Sequence, residues 1–248
     1  FNDWRFVLLV MIGSLAIFPD LGNATILFLV ALLMYSISGI AHRWFATILG
    51  VLTSLSFVSL TTIKLVGVDK FSKIPVFGYV AKRFSAFFNP FDDVAGAGHQ
   101  LANSYYAMVN GGWFGLGLGN SIEKRGYLPE AHTDFVFSIV IEEFGFVGAS
   151  LILALLFFLI LRIILVGVRA KDPFNSMVAI GIGGMILIQV FVNIGGISGL
   201  IPSTGVTFPF LSQGGNSLLV LSVAIAFVLN IDASEKRAKL YSEYEAQL

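Results

Sequence analysis

The 248-residue sequence contains no cysteine, which excludes disulfides, thiolate nucleophiles and Cys-ligated zinc. It holds only His42, His99 and His132 as histidines, so no His-rich constellation exists and a zinc hydrolase is not expected. Charge is scarce as well, at 12% of residues against about 25% in an ordinary soluble domain. That charge is balanced, with 15 basic and 15 acidic residues, and the missing basic excess argues against a nucleic-acid binder. What fills the space is apolar: 56% of the residues are hydrophobic and the mean hydropathy is +0.87. A water-soluble fold of this size could not hide so much apolar surface, so the bilayer is its natural solvent. The chain opens on Phe1 with neither Met nor a signal-peptide pattern, as expected of a piece cut from something longer.

Charge-free stretches locate the expected spans. Residues 6–19 are uncharged but short, and Pro19 suggests a half-helix stopped there. Residues 21–41 and 44–63 are each long enough to cross about 30 Å of hydrocarbon at about 1.5 Å per residue. Residues 144–161 form a fourth, running on to 168. From Pro173 to Ile231 there is no Asp, Glu, Lys or Arg, and the Gly/Pro/Ser-rich middle divides this run into spans near 174–194 and 217–231. The expectation is an all-α polytopic membrane protein with about six transmembrane helices, forming one transmembrane domain over residues 1–248. Basic residues gather at Arg5, at His42 and Arg43, at Arg169 and Lys171, and at Lys236, Arg237 and Lys239. Six spans put these on one side, which the positive-inside rule makes cytoplasmic, both termini of the segment and a tail at 232–248 included. A large loop at 67–134 and a re-entrant-like loop at 195–216 then lie on the outer face.

The 67–134 loop is the only long polar stretch. It carries six acidic residues (Asp69, Asp92, Asp93, Glu123, Glu130, Asp134) and six basic ones (Lys70, Lys73, Lys82, Arg83, Lys124, Arg125). Loops beyond about 12–15 residues are usually functional or disordered, and the many aromatics here predict that it packs. Segment 99–110 reads as a helix along or dipping into the membrane. The glycine run at 111–119 lacks a surrounding βαβ unit, so a dinucleotide fingerprint is rejected; it is a tight turn or a backbone surface open to a pyrophosphate or sugar. Leu128-Pro-Glu-Ala-His-Thr-Asp-Phe135 is the densest group of titratable side chains and ends where an apolar helix begins. Thr133 or Asp134 could cap that helix, or Asp134 could serve as a general base at a membrane-surface cleft. Glu142 lies eight residues after Asp134 on roughly the same helical face, and Glu142 with Glu143 could ligate a divalent cation or simply begin a hydrated helix. The loop from Pro202 to Ser217 cannot be a plain helix, and its Thr, Ser, Gln and Asn side chains suit a cavity wall better than a lipid-facing hairpin.

Taken together and in order, these pieces resemble the FtsW/RodA/SpoVE, or SEDS, family of bacterial cell-wall glycosyltransferases. The resemblance is carried by Pro19-Asp-Leu-Gly22, Arg83 through Asn89-Pro90, Gly98-His-Gln-Leu101 with Ser104, and the glycine run. It continues through Leu128–Phe135, Glu142-Glu-Phe-Gly145, Asn193–Gly199 and Pro202–Ser217. The motif forms look closest to the division branch of the family, streptococcal type. The family is described with ten spans, so the six here would be its last six. The resemblance implies a peptidoglycan glycosyltransferase that polymerises lipid II into β-1,4 glycan strands outside the plasma membrane, at the division septum, with Asp134 as catalytic base. It implies a divalent cation (Mg or Mn) with no organic cofactor, Glu142 and Glu143 being the candidate metal ligands. The implied partners are lipid II, a cognate class B penicillin-binding protein, other division proteins and membrane lipids, with no nucleic acid. Arg83, Lys124 and Arg125 are positioned in sequence to neutralise a pyrophosphate, and Gln100, Ser104, Glu130, His132, Thr204 and Ser212 complete the expected substrate-binding set. A lipid II flippase and a non-catalytic scaffold of the division machinery are the alternatives.

Overall fold

The computed structural model describes residues 21–37, 50, 54, 61 and 78–245. Among these every regular element is helical. They are α1 (Leu21–Ile37), α2 (Gly78–Phe88), α3 (His99–Gly111), a 3-10 turn at Glu123–Arg125, α4 (Val136–Arg169), α5 (Pro173–Ile197) and α6 (Gly215–Glu245). Three of them, α4, α5 and α6, are long and apolar enough to cross a membrane, and α1 is a shorter apolar helix. The expected spans at 6–19 and 44–63 fall outside the described residues apart from isolated positions, as does the 67–77 part of the large loop.

The chain divides into two compact units. One takes residues up to 38 together with 151–190 and 209 onward. Its part of α4 is apolar on every side up to Arg162 and Arg169 near its far end. Leu156, Ile160 and Ile163 are buried against protein, while Leu151, Leu155, Phe158 and Leu161 are exposed. A helix that is hydrophobic all round and still exposes a leucine stripe is suited to lipid, not water. Helices here approach closely where side chains are small: a Cβ on Gly183 would meet Ile164 Cγ1 at 2.7 Å. At the end of α4, Asp172 caps α5 by accepting the Asn175 amide at 3.1 Å. The Glu235 carboxylate of α6 accepts the Lys171 amide at 3.1 Å, tying α6 to that same turn.

Two boundaries differ from the sequence expectation. Helix α5 continues to Ile197 rather than ending near 194. Helix α6 runs to Glu245, so most of the expected 232–248 tail is helix. The reason is local: 232–245 is rich in Ala, Glu, Lys and Arg, contains no Gly or Pro, and places Lys236 2.6 Å from Asp232 as an i,i+4 pair.

The other unit holds 39–150 and 191–208, and α3 is its centre. Ala102, Ser104 and Ala107 of α3 have no exposed surface. The Ser104 hydroxyl shares a 2.7 Å bond with Ser138 of α4 and lies 3.2 Å from the Ile197 carbonyl of α5, so one small polar side chain joins three helices. Phe137 stacks on Phe208 with centroids 4.7 Å apart.

Candidate functional site

The site begins with a break in α4. Gly145 has φ 69 and ψ 179, so the helix cannot continue its ladder there. An unbroken helix would use the Glu142 and Glu143 carbonyls to receive the Phe146 and Val147 amides. Instead the glycine run supplies the partners. Leu116 and Gly117 donate to the Glu142 and Glu143 carbonyls, both at 2.9 Å; Phe146 donates to Gly112 at 2.9 Å and Val147 to Trp113 at 3.1 Å. A Cβ on Gly115 or Gly145 would collide with the opposing backbone, which is why both are glycine. Glycines 112–117 thus serve as a splint for a broken helix, the tight-turn alternative given structural purpose.

This splint directs Glu142 and Glu143 toward segment 121–124. Glu142 is fully buried. Its carboxylate accepts the Ser121 hydroxyl, the Asn110 amide at 3.3 Å, and the backbone amides of Ile122 at 3.1 Å and Glu123 at 3.3 Å. Glu143 forms an ion pair with Lys124. Beside them Glu123 is buried, and its Oε2 meets no donor among the described residues. Burial, and then the neighbouring Glu142 charge, push the Glu123 carboxyl above its ordinary range. A divalent cation takes six or more oxygen ligands, whereas these carboxylates are taken up by N–H and O–H donors and an ammonium. The donor set at Glu142 and Glu143 therefore does not fit the expected metal. Among the described residues no three His, Asp or Glu side chains gather to hold one.

Asp134 lies elsewhere, in a cleft within the same unit. The chain reaches it through a tight turn in which Glu130 takes φ 57 and its carbonyl accepts the Thr133 and Phe135 amides at 3.0 and 3.3 Å. Arg83 of α2, Gln100 of α3, Asp134 and Phe135 before α4, Asn193 and Gly196 of α5, and residues 203–206 line the cleft. Gly205 has φ 75, and a Cβ there would lie 2.9 Å from Arg83 Nη2 and 3.4 Å from Asp134 Oδ2. The carboxylate and the guanidinium therefore flank the same point. Arg83 also donates to the Ser203 carbonyl, which fixes the guanidinium fork against the loop.

Of the residues expected from sequence, Arg83, Gln100, Asp134 and Thr204 come together in this cleft. Ser104 is buried behind it in the helix junction, and Lys124 is engaged with Glu143. Arg125 and His132 are exposed, and Glu130 accepts the Thr133 hydroxyl at 2.7 Å. Ser212 belongs to the other unit. Asn193 was not expected there, although an amide inside a charge-free helix is itself a signal of a buried polar task.

Membrane-length apolar helices carrying a polar cleft define a multi-pass helical membrane protein. Sequence comparison gives the family: the cell cycle protein model covering FtsW, RodA and SpoVE matches residues 2–237, and the chain belongs to that family. It is 54% identical over 240 residues to a Lactococcus lactis protein named "probable peptidoglycan glycosyltransferase FtsW", covering 97% of this chain and 57% of the relative. A Bacillus subtilis protein of the same name is 42% identical over 235 residues, with 95% and 56% covered. The chain thus spans a little over half the length of these relatives. Among solved structures, it resembles a chain of a peptidoglycan synthase complex studied for coordination of polymerization and crosslinking (TM-score 0.68, 24% identity, 94% of this chain and 63% of that one). It also resembles a mutant of the rod shape determining protein RodA of Thermus thermophilus (TM-score 0.56, 23% identity, 95% and 59% covered). Both likenesses speak to the fold.

Proposed function

We propose that this chain carries the reacting cleft of a peptidoglycan glycosyltransferase that polymerises lipid II into β-1,4 glycan strands, with Asp134 as general base on the acceptor hydroxyl. The observation that carries the reading is the meeting of one carboxylate and one guanidinium at Gly205, in a cleft otherwise lined by neutral polar and apolar groups. The names of the relatives support the reaction class.

In the proposed step the acceptor hydroxyl oxygen bonds to the anomeric carbon of the donor sugar, and its proton passes to Asp134. The bond from that carbon to the pyrophosphate oxygen breaks, and its electron pair leaves with the lipid pyrophosphate. General base catalysis of this kind contributes about 10²–10⁴-fold. Arg83 offers a planar, permanently charged fork suited to the departing phosphate oxygens. Gln100 and Thr204 offer neutral hydrogen bonds for sugar hydroxyl and amide groups. No step is assigned to a metal at Glu142 or Glu143.

The basic residues at the far end of α4 and in its turn, Arg169 and Lys171, support a cytoplasmic location for that end and an outer location for Asp134. In this reading the full-length protein works at the septal plasma membrane with a class B penicillin-binding protein, which supplies crosslinking, and with other division proteins. The likeness to a chain of a peptidoglycan synthase complex supports such an assembly.

The test is Asp134→Asn in the full-length protein with its partner present. Glycan polymerisation should be abolished while membrane insertion and partner binding persist. A rate above about a tenth of wild type overturns the reading, given the size expected of general base catalysis. Transbilayer movement of labelled lipid II in vesicles without polymer would place the chain among transporters instead.

A further inference from the structure

Asn193 occupies an unusual position. It is 3% exposed, in a helix with no charged residue, and it lines the same cleft as Asp134. Its single amide nitrogen donates to two backbone carbonyls, that of Asp134 at 2.6 Å and that of Val206 at 2.6 Å. Its Oδ1 is buried and meets no donor among the described residues. The orientation of the amide follows from the chemistry: turned the other way, an oxygen would face two carbonyl oxygens at the same short distance, which is repulsive.

The Asp134 carbonyl is in turn open to such a donor because of how α4 begins. In a regular helix it would accept the Ser138 amide. Here Ser138 donates to Phe135 at 3.0 Å, a tighter turn, and so does Ile139 at 3.4 Å. The start of α4 thus hands one carbonyl to α5, and the 203–206 loop, which has no ladder of its own, hands over another. Asparagine suits the task because its two N–H groups sit on one atom. Aspartate has the same shape and offers none.

We propose that Asn193 is the positioning residue of this site: it fixes the backbone of Asp134 and that of the 203–206 loop to one point, and so sets the carboxylate against Arg83 and Gly205. The proposal rests on Asp134 being the base. It assigns Asn193 no contact with substrate. Its effect travels through the register between two segments, and a misplacement of about 1 Å in a reacting group can cost on the order of 10²-fold in rate.

The experiment uses full-length protein with its penicillin-binding partner and lipid II as substrate, with rates counted per molecule able to bind lipid II. Asn193→Ala should lower kcat by about ten- to a hundredfold, with KM held within about threefold, since the loss is of positioning and not of binding. Asn193→Asp should lose as much, because it keeps the shape and removes both donors. Asn193→Gln, which keeps the donors one methylene farther out, should recover part of the kcat. If the alanine variant fails to fold, the Asp and Gln pair decides the question. Amide hydrogen exchange supplies a readout independent of turnover: protection should fall together in 133–139 and 203–208 and stay unchanged in 101–107. A wild-type kcat in Asn193→Asp overturns the proposal, as does a KM rise with kcat kept, or exchange that rises in only one of the two segments. Asp134→Asn is run alongside. If it stays active, the base assignment and this proposal both fall; if it is dead while the Asn193 variants run at the wild-type rate, only the positioning role falls.

Discussion

Asp134 and Glu142 stand eight residues apart in one acidic, membrane-bordering stretch, and sequence spacing alone makes them a pair. Their surroundings differ. Glu142 has no exposed surface, and its two oxygens accept four donors drawn from the segment between Asn110 and Glu123. Asp134 is half-buried, with Oδ2 on a cleft next to the Arg83 guanidinium. A carboxylate saturated by its own protein's donors holds structure together and has little left to offer a substrate or a metal. A carboxylate on a cleft wall beside a fixed cation can take a proton from something that enters. The glycine run, bonded to the α4 backbone across the Gly145 break, lies against Glu142 and Glu143, whereas Asp134 stands before α4 on the cleft.

The largest expected effect sets the two acids against each other. Asp134→Asn should cut polymerisation by about 10²–10⁴-fold while thermal unfolding stays near wild type. Glu142→Gln should do the reverse. Its amide presents N–H groups to donors that need an acceptor, costing about 1–3 kcal/mol of stability, seen as a lower unfolding temperature. Residual activity per folded molecule should remain substantial, and adding Mg or Mn should not restore the unfolding temperature. Recovery of stability or rate with either metal in the Glu142 variant would reopen the cation site.

A smaller effect is expected at Gly205. Alanine there must adopt φ 75 and bring its Cβ to 2.9 Å from Arg83 Nη2. The backbone strain costs about 1–2 kcal/mol of stability, and separately Gly205→Ala should reduce the rate roughly tenfold by pushing the guanidinium from the carboxylate. Steady-state kinetics check this, and an unchanged rate would mean that the close approach of loop, cation and carboxylate is not needed for turnover.

These contrasts mark how far the sequence could be read. The membrane class and the long helices α4, α5 and α6 are legible because their charge-free runs, at 144–161, 173–197 and 215–231, fall in the range of about 17–25 residues that a transmembrane helix needs. The α6 extension to Glu245 is not legible from hydropathy, which ends a span where charge begins, whereas a helix ends only where capping or a breaker stops it. In the site, Arg83, Gln100, Asp134 and Thr204 could be nominated from motif and charge. Lys124 was nominated for a phosphate by the same logic, yet its partner is Glu143, a pairing that depends on the helix break and its glycine splint. No periodicity exposes such a break in advance. For Asn193 the sequence signals only a buried polar task, an amide in a charge-free helix; which backbone carbonyls it holds carries no sequence signature.

The finest test of the comparison is Glu123, which sits between the two roles. It is buried beside Glu142, with one oxygen lacking a donor among the described residues, and burial followed by the Glu142 charge raises its pKa. A folded-state pKa above the unfolded value makes its stabilising contribution complete below the unfolded pKa, near 4.5, and progressively lost as pH rises through the folded value. Glutamine mimics the protonated form in shape and does not ionise. Glu123→Gln should therefore match wild type in unfolding temperature near pH 4 and exceed it at neutral pH, with the gap opening across the window just above 4.5. Unfolding scans of both proteins from pH 4 to about 8 check the sign. A gap that is constant with pH, or that closes as pH rises, would mean that Glu123 is as well served by its surroundings as Glu142 is, and that the acidic segment holds no charge at a cost.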